Sequence, residues 1–330
     1  MRRERSIWIF GALFAACGVA LPWIGAEPIG LEDIRLGAFG GGGTGWEIFF
    51  SIRLPRVAMG LLAGGALAAA GATLQATLRN PLAEPWTLGI AGGASLGAFA
   101  GRALGLADFG FGPLNASQAL ALAGAALALG ATMATSRRRG VGGEQTTLLA
   151  GITIGVTCGG AIMAMSGFVA PDKLANFHRW LLGGLDGADW ETFWAMAALS
   201  APGLLAMGWT ARDQNPLGLG EEMAAGQGVD VGATRRLAAL GAGLAAAGVA
   251  SAAGPIGFVG LLAPHAARRL AGPDARIALP CSFLLGGALL AGCDAAGRWL
   301  AAPLEMPVGA TTALLGGPLF LALLARRPGR

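Results

Sequence analysis

Long apolar runs alternate with short polar breaks along most of this chain. Nine runs are long enough to cross about 30 Å of hydrocarbon as helices: roughly 7–25, 57–78, 86–106, 115–135, 146–168, 190–210, 236–254, 278–300 and 308–325. A shorter run, 256–271, is punctuated by Gly and Pro and reads as a tenth, short spanning or half-spanning helix. The first run follows Arg2, Arg3 and Arg5; it is long for a signal peptide, no clear A-x-A site follows, and it reads as an anchor. Ten passes put both termini on one side. Of the 23 Lys and Arg residues, seven (Arg35, Arg53, Arg56, Arg102, Lys173, Arg179 and Arg298) then fall outside and the other sixteen inside, as the positive-inside rule requires. The tryptophans gather near the ends of the runs, as an interfacial belt does. The expectation is an all-α membrane protein of about ten transmembrane helices, residues 1–330 forming a single transmembrane domain.

Composition sharpens this picture. Charged residues make up 13% of the chain, hydrophobic residues 54%, and mean hydropathy is +0.61. A soluble domain carries about 25% charged residues, so the excess apolar surface must face lipid. The 57 glycines suit helices that pack backbone to backbone. Gly60 with Gly64, Gly93 with Gly97 and Gly101, and Gly155 with Gly159 recur at four-residue spacing, on one helix face each. The Gly40–Gly43 run reads as a flexible outside loop.

Basic residues scattered between apolar spans are topology signals and exclude a nucleic-acid-binding face. Cys17, Cys158, Cys281 and Cys293 form no CxxC pair and read as inert thiols. There is no phosphate-binding G-x-x-x-x-G-K-[ST] loop, no cluster with metal-ligand spacing and no nucleophile with its base. Any ATP and Mg used by the system must bind another chain, and this chain needs no cofactor of its own.

Four segments taken together resemble the permease subunits of type II ABC importers for iron siderophores, haem and cobalamin. They are Arg53-Leu-Pro-Arg56 with Gly64–Gly71 and Gln75; Asn80-Pro-Leu-Ala-Glu-Pro85 with Gly93–Gly97; Gly254–His265 with Arg268 and Asp274; and Asp294 with Arg298, Glu305–Gly309 and Gly316–Phe320. Asn80–Pro85 reads by itself as a rigid turn, His265 as a packing histidine, and Asp294 with Arg298 as a helical ion pair at i, i+4. The arginines near the outer membrane surface can snorkel to headgroups or fork onto carboxylates. The resemblance implies that Arg53, Arg56 and Arg298 meet glutamates of a periplasmic substrate-binding protein. It also implies a second permease copy, two ATPase subunits docked from the cytoplasm, and location in a bacterial inner membrane with both termini cytoplasmic.

The inside loop 211–235 is broken by Pro216 and by glycines into short pieces. By the resemblance it carries the helix that couples to the ATPase, through Leu217, Leu219, Gly220, Glu221, Glu222, Ala224 and Gly228. The chain departs from the family pattern at Ala225, Gln227 and Ala275. For the cargo, Lys173, His178 and Arg179 cluster at the outside mouth, where positive charge favours an anionic ligand such as haem or a ferric siderophore. His178, Arg179 and Met163 are the candidate pathway residues, an iron chelate the first candidate cargo and cobalamin the second. An ion-gradient transporter is the rival reading, disfavoured because the middles of the spans hold almost no acids.

Overall fold

The computed structural model describes residues 2–25, 27–36, 43–106, 110–111, 114–137, 143–302 and 305–325. The Gly40–Gly42 part of the glycine run, Arg138 and Arg139, and the arginines at 326, 327 and 330 lie outside the described residues.

Helices overlap the apolar runs among the described residues: α1 (Arg2–Ala20), α2 (Leu54–Thr77), α3 (Ile90–Ala103), α4 (Ala116–Arg137), α5 (Gly143–Ser166), α6 (Trp190–Leu219), α7 (Val231–Ala253), α8 (Val259–Ala271), α9 (Ala275–Leu300) and α10 (Val308–Ala325). Among the described residues, six helices are long and apolar enough to cross a membrane by themselves. The only pairing of extended chain there is a two-residue antiparallel ladder, Gly110–Phe111 with Leu114–Asn115.

α2 is the axis of the bundle and is buried almost all round. Its side chains are mostly Ala and Gly, so its backbone approaches its neighbours closely. A Cβ on Gly64 would sit 2.3 Å from the Gly286 carbonyl oxygen of α9, and one on Gly71 would sit 1.9 Å from the Gly260 oxygen of α8. α3 and α4 meet in the same manner: a Cβ on Gly93 would lie 2.2 Å from the Gly124 oxygen, and one on Gly97 2.0 Å from the Leu120 oxygen. Small-residue faces of this kind associate helices where lipid offers no hydrophobic drive. The spacing argument fails at Gly159, which faces open space. α5 and α1 pack at the periphery and leave most of their length uncovered.

Two segments depart from the sequence expectation. α6 runs through Pro216 to Leu219 and does not end near residue 210. Proline removes one backbone hydrogen bond, but side-chain anchors hold the last turns. Asn215 Nδ2 donates to Asp274 Oδ1 (2.9 Å), and the Ala275 N–H donates to Asn215 Oδ1 (2.7 Å). The described residues just before α2 are helical, with Thr44–Glu47 leading through a π-helical turn, Ile48–Arg53, into α2. Between α5 and α6, the helix Pro171–Leu181 inserts Phe177 edge-on against Phe99 (centroids 5.1 Å apart).

Candidate functional site

At the end of the bundle where α2 begins and α9 finishes, a charged cluster is enclosed by apolar helices. Asp294, 1% exposed, accepts from Arg56 Nη2 at 3.0 Å and from Arg298 Nε at 3.1 Å. Arg56 also donates through Nη1 to Glu305 Oε2 at 2.8 Å, and the Glu305 side chain is half exposed. Arg298 Nη1 donates to the Ile24 carbonyl (2.8 Å). Arg53 donates to the carbonyls of Glu27 and Pro22. The ion pair expected between Asp294 and Arg298 is present; its extension to Arg56 and Glu305 is not visible in local spacing. Arg53, Arg56 and Arg298 are 5%, 6% and 6% exposed, which differs from the expectation of guanidiniums offered at the surface. Buried charge must be paired, and here the arginines fasten the segment after α1 to the ends of α2 and α9.

At the opposite end, α6 turns into the short helix Glu221–Gly226. Gly220 has φ 134° and ψ 155°, a region that only glycine occupies without strain. Leu217 and Ala224 are buried and anchor the turn, whereas Leu219, Glu222 and Met223 project outward. Glu221 Oε1 accepts from Arg235 Nη1 of α7 at 2.7 Å. The short helix closes with Val229 N–H donating to the Ala224 carbonyl and Gly228 N–H to the Ala225 carbonyl, Gly228 having φ 82°. This is a Schellman end, which calls for a left-handed residue at 228. The departures at Ala225 and Gln227 lie on the exposed side. The segment is thus a rigid element with one face pinned and one face free.

Beside it, the Asn80–Pro85 turn docks on the start of α8. Asn80 Oδ1 accepts from the Leu82 N–H (2.9 Å), and Trp86 Nε1 donates to the Ile256 carbonyl (2.7 Å). Gln75 Nε2 donates to the Gly260 carbonyl (3.0 Å), and its own carbonyl accepts from Arg268. Sequence reasoning passed over Gln75 as a bridging residue; a lone amide in an apolar helix was the available signal. His265 is half-buried on α8.

Glu84 in this turn is half-buried, with its Oε2 enclosed and unpartnered. Desolvation lifts its pKa to about 7, against the opposing pull of the Phe258 N–H that donates to it. A carboxyl whose folded pKa is raised binds its proton more tightly folded than unfolded. Its contribution is therefore complete below the unfolded value and is lost as pH rises through about 7. The wild-type protein should lose on the order of 3 kcal/mol relative to Glu84→Gln between pH 4 and pH 8. Thermal unfolding of the two proteins in detergent across that range checks this; parallel curves would refute it.

The candidate cargo residues do not line one cavity together. Arg179 lines a cavity of 800 Å³ together with Arg102 and Lys173, while His178 and Met163 are exposed and are not among its lining residues. Asp172, Asp186, Asp189 and Glu191 line the same cavity. That cavity is therefore of mixed charge, whereas Lys173, His178 and Arg179 alone read as basic. Among the described residues no three His, Cys, Asp or Glu side chains gather as metal donors. Cys281 and Cys293 are buried, and Cys17 and Cys158 half-buried.

Comparison with known proteins matches this architecture. The chain is 40% identical over 288 residues to the hemin transport system permease protein HmuU of Yersinia pestis, covering 86% of this chain and 84% of that one. It is 39% identical over 293 residues to the cobalamin import system permease protein BtuC of Halobacterium salinarum, covering 88% and 77%. It is 36% identical over 299 residues to the iron(3+)-hydroxamate import system permease protein FhuG of Bacillus subtilis, covering 88% of each chain. A solved structure described as an inward-facing metal-chelate type ABC transporter superposes with a TM-score of 0.85 at 24% identity, covering 98% of this chain and 100% of that one. The model of the FecCD transport family matches residues 12–326, and the chain belongs to that family, the permease subunits of type II ABC importers.

Proposed function

We propose that this chain forms half of the membrane pathway of an importer for a metal chelate, with haem or a ferric siderophore as cargo. Two identical copies enclose the path, a periplasmic binding protein delivers the ligand, and two ATPase subunits dock from the cytoplasm, where both termini lie. The observation that carries this reading is the segment Leu219–Gly228, one face pinned to α6 and α7 and the other projecting Leu219, Glu222 and Met223. An ATPase groove that receives this face would move α6 and α7 as it closes, because buried Leu217 and Ala224 and the Glu221–Arg235 pair tie the segment to them. That motion alternates access to the path. The 40% identical hemin permease supports haem. Cobalamin is the second reading, favoured by the 39% identical cobalamin permease.

The arginine cluster enters this scheme indirectly. The binding protein docks at the end of the bundle where Glu305 is half exposed. Arg53, Arg56 and Arg298 hold that edge in shape without offering their own guanidiniums.

The test is reconstitution with the ATPase and binding protein in liposomes, scoring uptake of haem, a ferric siderophore and cobalamin. Uptake of haem or a siderophore driven by ATP is expected; uptake of cobalamin alone would move the assignment to the second reading. Uptake driven by a proton or sodium gradient without ATP would overturn the proposal. In the same system Gly220→Val should leave ATP hydrolysis running while uptake falls about tenfold, given about 1–3 kcal/mol of strain at that backbone position. Equal loss of both activities would point to misfolding, and no loss would remove the coupling role.

A further inference from the structure

An apolar groove of 470 Å³ runs between α2, α6 and α9, away from the cluster, the turn and the coupling helix. Leu204 and Met207 of α6 face Leu279 and Phe283 of α9 across it, with Ala69 of α2 as its floor. Arg212 and Arg276 close one end. The groove therefore passes from apolar to cationic along its length. At about 1.5 Å rise per residue, Leu204 lies roughly 12 Å deeper than Arg212, and Phe283 roughly 10 Å deeper than Arg276. The Asn215–Asp274 hydrogen bond holds the two charged helix ends together.

From this order of chemistry we infer that the groove is a binding site for one anionic phospholipid of the inner leaflet. Arg212 is exposed and has no hydrogen bond or ion-pair partner among the described residues. Arg276, itself exposed, engages Asp274 through Nε and Nη2, and neither bond uses Nη1. These groups suit a phosphate at the headgroup level. The apolar walls suit the upper part of an acyl chain, which a free phosphate would leave exposed. Basic pockets between helices on the cytoplasmic side recognise lipid headgroups in this manner. Gly208 lines the groove, and a Cβ placed there meets nothing within 4 Å, so an added side chain would start in open space. The occupant would brace the end of α6, the helix that leads into the coupling segment.

The inference is tested on the purified full-length permease by native mass spectrometry after delipidation, with dioleoylphosphatidylglycerol or dioleoylphosphatidylcholine added back. One phosphatidylglycerol per chain should survive activation that strips phosphatidylcholine. Replacing Arg212 and Arg276 by Gln should weaken retention about fivefold per arginine. Gly208→Phe should abolish it, while Gly208→Ala should retain it as the control for folding. Equal retention of both lipids, full retention by Gly208→Phe, or displacement by inorganic phosphate would each overturn the site. So would a permease dimer that dissociates in Gly208→Phe with the lipid count unchanged, since a second copy would then be the occupant. The readout is independent of transport, so failure here leaves the importer reading intact.

Discussion

Asp294→Ala should lower the thermal midpoint of the detergent-purified permease by on the order of 10 °C, corresponding to about 3–5 kcal/mol. The carboxylate is 1% exposed and bridges two guanidiniums that are themselves buried. Its removal leaves Arg56 with Glu305 alone and Arg298 with only the Ile24 carbonyl. Arg298 Nη2 is already unpartnered, so the cluster has no spare acceptor to take up the loss. The cost comes from stranding charge and does not measure the worth of the ion pair. Replacing Asp294, Arg56 and Arg298 together by Leu, Met and Met should therefore recover most of the stability. A single substitution as mild as the triple would refute the argument. If the cluster also shapes the docking edge, the stable triple variant should still bind its partner protein more weakly, which separates a folding role from a docking role.

Gly71→Val should be comparably damaging, at about 3 kcal/mol, because its first added atom would fall 1.9 Å from the Gly260 carbonyl oxygen. The obstacle is backbone and cannot rotate away. That carbonyl also accepts from Gln75, which holds Arg268 in turn, so separating α2 from α8 would break a polar bridge as well as an apolar contact. Gly159→Val on α5 is the matched control. Its Cβ meets open space, and stability of the isolated chain should be unchanged. Thermal midpoints of the two variants measured together decide the point; equal effects would mean that helix-face glycines act through propensity and not through close approach.

Residues three or four apart on one helix meet whatever surrounds them. That local rule made the Asp294–Arg298 pair readable from spacing alone, and it placed Gly60, Gly64, Gly93, Gly97 and Gly101 on packing faces. Apolar runs of bilayer length similarly placed the long helices, since lipid punishes any unpaired backbone and leaves helix as the one form open to such a run. The resemblance marked Gly220, Glu221 and Gly228, while Pro216 and the glycines read by themselves only as breaks into short pieces. Contacts across the bundle were not legible. Arg56 finds Asp294 and Glu305 some 238 and 249 positions along the chain, and Arg53 is engaged by backbone carbonyls that carry no residue signature. Pro216 looked like a helix breaker until Asn215 was seen tied to the start of α9. The segment holding Lys173, His178 and Arg179 reads as basic, but acids from other segments line the same cavity as Lys173 and Arg179. In each case the deciding quantity was which helix faces which, and tertiary packing sets that through the summed fit of small residues, because membrane helices lack the polar faces that would announce their orientation in advance.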